Sequence, residues 1–412
     1  MATYFIDNTN GNNNFDGLSP EKARRDYTDI TLSKGDTVLF KRGSIYRDKL
    51  YAKSFVTYGA YGEGEKPTFC ASTDVSDPSD WVMTDKENVW KCVKPILGDV
   101  GNVAFNGSEC TATFHWTLDE LCSQGDFYDG QCATGDRIEL KTFDTDFYMY
   151  SVGNPAEVYS HIEAISYNKR HLVNALDGMT FEGLRFMNSG VHAIQGRGNN
   201  ITVRDCDFEN IGGCAWSREL EIRFGNGFEI WETGNDILVE NCTFKNVYDS
   251  CVTHQGPGER TDTAKNFICR GCTFDTYGMA AFEYRDKLPI NSSFTDNVCL
   301  NAGCGFAMLG EALPRKSEIW PQPMGHHIFM WRIPEASEGG DLVIKNNFFG
   351  SAPVGAAIYS IISPEAEAQV TIDNNKYTKN DVLLNRWGGE NYNDLEAYKA
   401  ATGKDKNSCY AE

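Results

Sequence analysis

The chain has 412 residues, 41% hydrophobic and 12% aromatic, enough to bury one large core or two ordinary ones and too apolar for a disordered chain. A formal net charge of −20 argues against nucleic acid and other polyanions as partners and leaves a neutral partner as the better fit. No run approaches about 18 apolar residues, so no membrane span is expected, and 39 glycines among many Asn and Asp favour turn-rich β structure.

Met1 leads straight into ATYFIDNTNGNN, without the basic start, apolar core and cleavage site of a secretory leader. That predicts a cytoplasmic protein. The 14 cysteines lack the paired spacing of a zinc site, and a chain this long needs no disulfide scaffold. Reduced thiols acting as small core residues are expected. Residues 1–68, with YFIDNTNGNNNFDGLSPEKA and LSKGDTVLFKRGSIYRDKLY, read as an N-terminal cap and first coils. Residues 69–165 show no repeat and hold Trp81, Trp90, Trp116 and the DFYDG turn; they read as an inserted β-rich lobe.

Residues 166–378 repeat. MTFEGLRFMN (from Met179), ITVRDCDFEN (Ile201), ILVENCTFKN (Ile237), FICRGCTFDT (Phe267), the looser SFTDNVCLNA (Ser293) and LVIKNNFFGS (Leu342) share one rhythm. Each runs apolar–x–apolar, two polar residues, then an inward residue and x–Phe. The inward column is Leu184, Cys206, Cys242, Cys272, Val298 and Asn347. Alternation argues strand, and recurrence at this period argues stacked coils that bury a shared interior. The expected fold is all-β, a right-handed parallel β-helix. A doubly wound α/β fold would need amphipathic helices, and none of ten residues lies between Met179 and Pro364. In residues 379–412, NDLEAYKAATGKDKNS reads as a helical C-terminal cap.

A second strand follows each turn. Aligning CVTHQ (Cys251 to Gln255), AAFEY (from Ala280), AMLGE (from Ala307) and AAIYS (from Ala356) sends Thr253, Phe282, Leu309 and Ile358 inward. His254, Glu283, Gly310 and Tyr359 then face solvent. In the preceding GFEIWE, Phe228 and Ile230 suit the interior, so Glu229 and Trp231 face out. Coils pair at about 4.8 Å, which places Glu229, Trp231, His254 and Glu283 on one exposed face, with the two glutamates ~10 Å apart. An exposed acid on so acidic a chain is most often merely solvated. An imidazole and an indole on the same face set this group apart, and two carboxyls with a histidine suit general acid–base work. The glutamate spacing lies nearer the inverting than the retaining range of glycoside hydrolysis. Asp249 either caps the turn before CVTHQ or serves as an alternative acid. Glu232, Gln255, Arg285, His326 and, despite its inward parity, Tyr284 are further candidates for holding substrate, with Trp231 stacking on it. His326 and His327 in PMGHHIFMW point opposite ways, so one of them is placed to reach over the face but the pair shares no metal. Neither zinc spacing, an EF-hand loop nor a phosphate-cradling loop is present; no cofactor and no metal are expected.

The opening YFIDNTNGNNNFDGLSPEKA with GDTVLFKRGSIYRD resembles the start of bacterial right-handed β-helix proteins that act on carbohydrates. GFEIWETGNDILVENCTFKNVYDSCVTHQG, FEYRD and NVCLNAGCGF are similar to β-helical glycoside hydrolases of the α-L-fucosidase/xylanase type. DFYMYSVGNPAEVY resembles the small β lobe that interrupts such chains. The resemblance implies a carbohydrate substrate and acidic catalytic residues on the outer sheet. The expected function is thus hydrolysis of a glycosidic bond, with Glu283 and Glu229 or Asp249 dividing the acid and base roles, and His254 tuning a carboxyl or holding a sugar hydroxyl. Two rivals remain: a polysaccharide lyase or uronate epimerase using Arg285 and Lys287, and a non-enzymatic glycan-binding adhesin.

Overall fold

A computed structural model describes residues 1–130, 145–166, 171–218, 220–232, 234–255, 264–309, 324–379 and 383–411. Each coil repeats one local solution. After the strands Thr180–Glu182, Ile201–Arg204, Ile237–Glu240, Phe267–Arg270, Ser292–Thr295, Leu342–Lys345 and Val370–Asp373, one residue turns left-handed. These residues are Gly183, Asp205, Asn241, Gly271, Asp296, Asn346 and Asn374, with φ between 50° and 68°. Only Gly, Asn and Asp occupy the position, the types for which that conformation costs least. The following residue turns inward, and the next strand begins one residue later.

Stacking these coils yields three long sheets among the described residues. One has ten strands, from Thr3–Ile6 to Val370–Asp373; a second has ten, from Ile45–Tyr46 to Cys409–Tyr410; the third has nine, from His171–Ala175 to Glu390–Tyr392. Neighbours pair in parallel, as in Ile201–Ile237–Phe267, except for the final hairpin of the third sheet. The fold is a parallel β-helix. Among the described residues, no helix is long and apolar enough to cross a membrane.

The interior is built as ladders. Phe186, Phe208, Phe244 and Phe274 stack at centroid distances of 5.5, 4.4 and 5.1 Å. Cys206, Cys242 and Cys272 are buried free thiols in the neighbouring column. That column corrects one expectation: Val298 is exposed, and Asn297 takes its place inside. The amide does what valine could not. Asn297 Oδ1 accepts the Cys272 N–H (2.9 Å), Asn347 Oδ1 the Asn297 N–H (3.0 Å) and Asn375 Oδ1 the Asn347 N–H (3.0 Å). Buried backbone donors are thereby satisfied along the axis.

The chain leaves the second sheet at Cys70 and rejoins the solenoid at His171; between them lie a five-stranded and a three-stranded sheet. They close over Trp81, Phe105, Phe114, Phe127, Phe147 and Met149. This lobe grips the hairpin Cys214–Ser217/Ile222–Phe224. Asp99 Oδ2 accepts the Ala215 N–H (2.7 Å), Arg218 pairs with Asp129, and the buried Arg223 donates to the carbonyls of Gly213 and Gly101. Downstream, Leu395–Thr402 is a helix, N-capped by Asp394 and ended by the left-handed Gly403.

Phe244 sits between two stacked rings, so Phe244→Ala should lower the unfolding free energy by about 3–5 kcal/mol. Urea denaturation measures this, and a loss below about 1 kcal/mol would contradict the ladder.

Candidate active site

Five strands of the third sheet carry the site: β1 (His192–Gly196), β2 (Phe228–Trp231), β3 (Ser250–Gln255), β4 (Ala280–Arg285) and β5 (His326–Trp331). β1, β3 and β4 each begin at a corner where two consecutive residues face inward. Ala193–Ile194, Cys251–Val252 and Ala281–Phe282 all belong to the main core. Alternation starts only afterwards. One outward column therefore runs Gln195, Glu229, Thr253, Glu283, Phe329, with each pair in direct register. A second runs through Trp231, Gln255, Arg285 and Trp331.

This register corrects the sequence alignment by one residue in β3. Thr253, expected inside, faces out beside Glu283, and His254 pairs with Tyr284 instead. His254 is buried beside Phe267, at 6.1 Å between ring centroids, and its Nε2 donates to the Glu232 carbonyl (3.0 Å). Burial pulls its pKa down to about 4. It is a neutral core histidine, not a member of the outer face. Tyr284 also packs inside, parallel to Phe282 at 4.1 Å, and so does not face a substrate. The expected strand AMLGE is not the next one in the sheet. Phe306–Met308 forms a single 3-10 turn and β5 follows β4, while Gly310 and Glu311 lie outside the described residues.

Glu229, Trp231 and Glu283 do share the outer side, but the two carboxyls are withdrawn from water, at 2% and 1% exposure. Their surroundings differ. Around Glu229, the Asn226 amide and the Trp231 indole donate to the carboxyl oxygens, and Gln195 Nε2 lies 3.5 Å from Oε1. His192 Nδ1 lies 3.3 Å from Oε2 while accepting the Asn226 N–H at 3.0 Å. A ring nitrogen already serving as acceptor favours a protonated carboxyl opposite it. Burial raises Glu229 to about 8; the charges of Glu283 and Asp249 push the same way, against the Asn226 hydrogen bond and the Arg285 cation.

Four donors instead converge on Glu283. Ser250 Oγ (3.2 Å), Thr253 Oγ1 (3.1 Å) and Gln255 Nε2 (3.4 Å) reach Oε2, and Trp331 Nε1 reaches Oε1 (2.6 Å). Arg285 Nη1 donates to Gln255 Oε1 (2.8 Å), which fixes the amide's orientation, and its guanidinium lies 4.8 Å from the Trp331 ring centre.

The remaining candidates are spread around this pair. Asp249 is buried at the corner before β3; its N–H donates to Gly225 and its carbonyl accepts from Met279, tying three coils together. Glu232 ends β2 in a left-handed turn, and its side chain pairs with Arg197 (3.4 Å). His326 lies on the outer side, stacked on Tyr359 at 4.3 Å, with Nδ1 accepting the Ala356 N–H (3.0 Å). Burial lowers its pKa to about 3. Its neighbour His327 points inward, donating from Nε2 to Gly350 O (3.1 Å). No group of three His, Cys, Asp or Glu side chains among the described residues could hold a metal.

Sequence reasoning missed His192, Asn226, Ser250 and Trp331. A shared signal could have found several of them: each strand reads small–apolar–outward after its corner, so HAIQG aligns with NGFEI and puts His192 one coil before Asn226. The hairpin that carries Phe224 against the His192 ring (5.3 Å) had no such signal.

A family model described as a right handed beta helix region matches residues 160–313. No curated protein matches the chain. Among solved structures, XylC in complex with xylose aligns over 92% of this chain and 62% of its own, at 12% identity and a TM-score of 0.54. Another, described as a glycoside hydrolase, aligns over 93% and 95% (9% identity, TM-score 0.44). The GH136 lacto-N-biosidase from Eubacterium ramulus aligns over 100% and 67% (11% identity, TM-score 0.48). The chain spans 62% of the length of XylC, and what the two share is the fold, a right-handed parallel β-helix.

Because His254 is buried with a pKa lowered to about 4, its ring-proton shifts should stay flat between pH 5 and pH 8 in an NMR titration, with His254→Phe identifying the signal. A midpoint near 6.5 would put it back at the surface.

Proposed function

We propose that the chain is a glycoside hydrolase in which Glu229 is the general acid and Glu283 the carboxylate base. The observation that carries this reading is a pair of carboxyls in one outward column with opposed surroundings: burial raises Glu229 to about 8, while four donors hold Glu283. Two carboxyls whose environments differ in this way divide acid and base roles. With one coil between them, their backbones stand about 10 Å apart, nearer the inverting than the retaining range of carboxyl separations.

The chemistry then follows. Glu229 passes its proton to the glycosidic oxygen as the C–O bond breaks. Glu283 takes a proton from the water that attacks the anomeric carbon from the other side. Glu229 is left as the carboxylate and Glu283 as the acid, and exchange with solvent resets both. Asp249 contributes a nearby negative charge that helps Glu229 keep its proton. Trp231 offers an apolar face for a sugar ring and holds Glu229 through its indole N–H. The adhesin reading has no need of such a pair.

One observation favours a second reading. Arg285 is a cation close enough to affect Glu229, and a lyase or epimerase needs one to neutralise a uronate carboxyl. A lyase product absorbs in the near ultraviolet and a hydrolase product does not.

Glu229→Gln and Glu283→Gln should each reduce kcat by about 10²–10⁴ in reducing-sugar assays. Neutral oligosaccharides serve as the panel, with xylo-oligosaccharides first because XylC was solved with xylose. Glu229 is protonated below about pH 8, so wild-type activity should fall as pH rises through that value, and Glu229→Gln should lose that alkaline limb. Full activity in either variant would refute the assignment.

A further inference from the structure

The outward column that holds the two glutamates continues past Glu229. Gln195 is its neighbour one coil earlier, and Asn174 precedes Gln195 in register. Around these two lies an open recess of about 450 Å³, closed at its sides by Ser54, His171, Asp177 and Arg197. Its volume falls within the range of small-molecule sites. Gln195 joins it to the catalytic pair, since its amide nitrogen lies 3.5 Å from Glu229 Oε1.

We propose that this recess binds the neutral sugar unit on the Glu229 side of the cleaved bond, so that the substrate lies along the solenoid axis. The inference rests on the hydrolase reading given above. Two amides, a hydroxyl and an imidazole can donate to and accept from ring hydroxyls, which suits a sugar. The charges exclude an anion. Arg197 is the recess's guanidinium, and it faces Glu232 at 3.4 Å, with the exposed Asp177 on the same rim. Two carboxylates to one cation leave no surplus positive charge for a uronate or a phosphate. Spacing supports the same direction. One coil advances about 4.8 Å, close to the length of one pyranose ring, so a ring whose glycosidic oxygen meets Glu229 extends over Gln195, and the next ring reaches Asn174.

Binding is measured on the full chain by saturation-transfer NMR and calorimetry. The probes are neutral xylo-, gluco- and galacto-oligosaccharides of one to four units, with oligogalacturonides of the same lengths. Wild type should bind a neutral series, more tightly from the second unit on, and bind oligogalacturonides at least tenfold more weakly. Asn174→Trp fills the recess from an exposed position and should weaken binding of the longer neutral sugars at least tenfold. If circular dichroism shows that variant unfolded, Gln195→Ala supplies the same comparison. Unchanged affinity in the folded variant, tighter binding of oligogalacturonides, or no neutral sugar bound at millimolar concentration overturns the proposal. Neutral sugars bound in the recess but never cleaved would remove the hydrolase reading and keep the recess. Cleavage of long and short substrates unaffected by Asn174→Trp would do the reverse.

Discussion

Parallel hydrogen bonding between coils sets every other feature of this molecule. Each strand is locked to its neighbours at about 4.8 Å, and side-chain direction is then decided residue by residue. The left-handed turn occupied by Gly, Asn or Asp fixes where each coil bends, and the ladder fixes which residue lands beside which. A shift of one residue would turn Glu283 into the core and bring Tyr284 out. The phenylalanine ladder and the asparagine column resist such a shift from within, since rings and amides fit only when stacked in register.

On the outer side, the same register concentrates charge in a place with little water. Two glutamates, each one coil from a shared threonine, are buried together, and burial with the charge of Glu283 raises the cost of ionising Glu229. The asymmetry in their partners resolves the conflict. Glu229 meets an amide and an indole N–H but also a histidine nitrogen that already accepts a hydrogen bond, whereas Glu283 meets two hydroxyls, an amide and an indole N–H. The lobe contributes indirectly. It holds the hairpin whose Phe224 packs edge-on against His192, keeping that ring in place beside Glu229.

Much of this was readable before any coordinates. The repeat with its recurring x–Phe and the outward positions of Glu229, Trp231 and Glu283 follow from period and parity alone. His254 and Val298 show where parity fails. In β3 the corner puts Cys251 and Val252 both inside, so counting alternate residues from the cysteine arrives one position late. In the inner column, a buried Asn297 breaks the rule that polar residues face out, because its amide satisfies a backbone N–H in the neighbouring coil. His192 and Asn226 were hidden for another reason: their role arises from contacts between coils, which no single segment displays.

The central claim is that one glutamate on this face remains protonated at neutral pH. Difference infrared spectroscopy of wild type against Glu229→Gln tests it most directly. A protonated-carboxyl band present at pH 6, lost with a midpoint near pH 8 and missing from the variant would agree with the raised Glu229. No such band in the difference between wild type and Glu229→Gln at pH 6 would contradict the account.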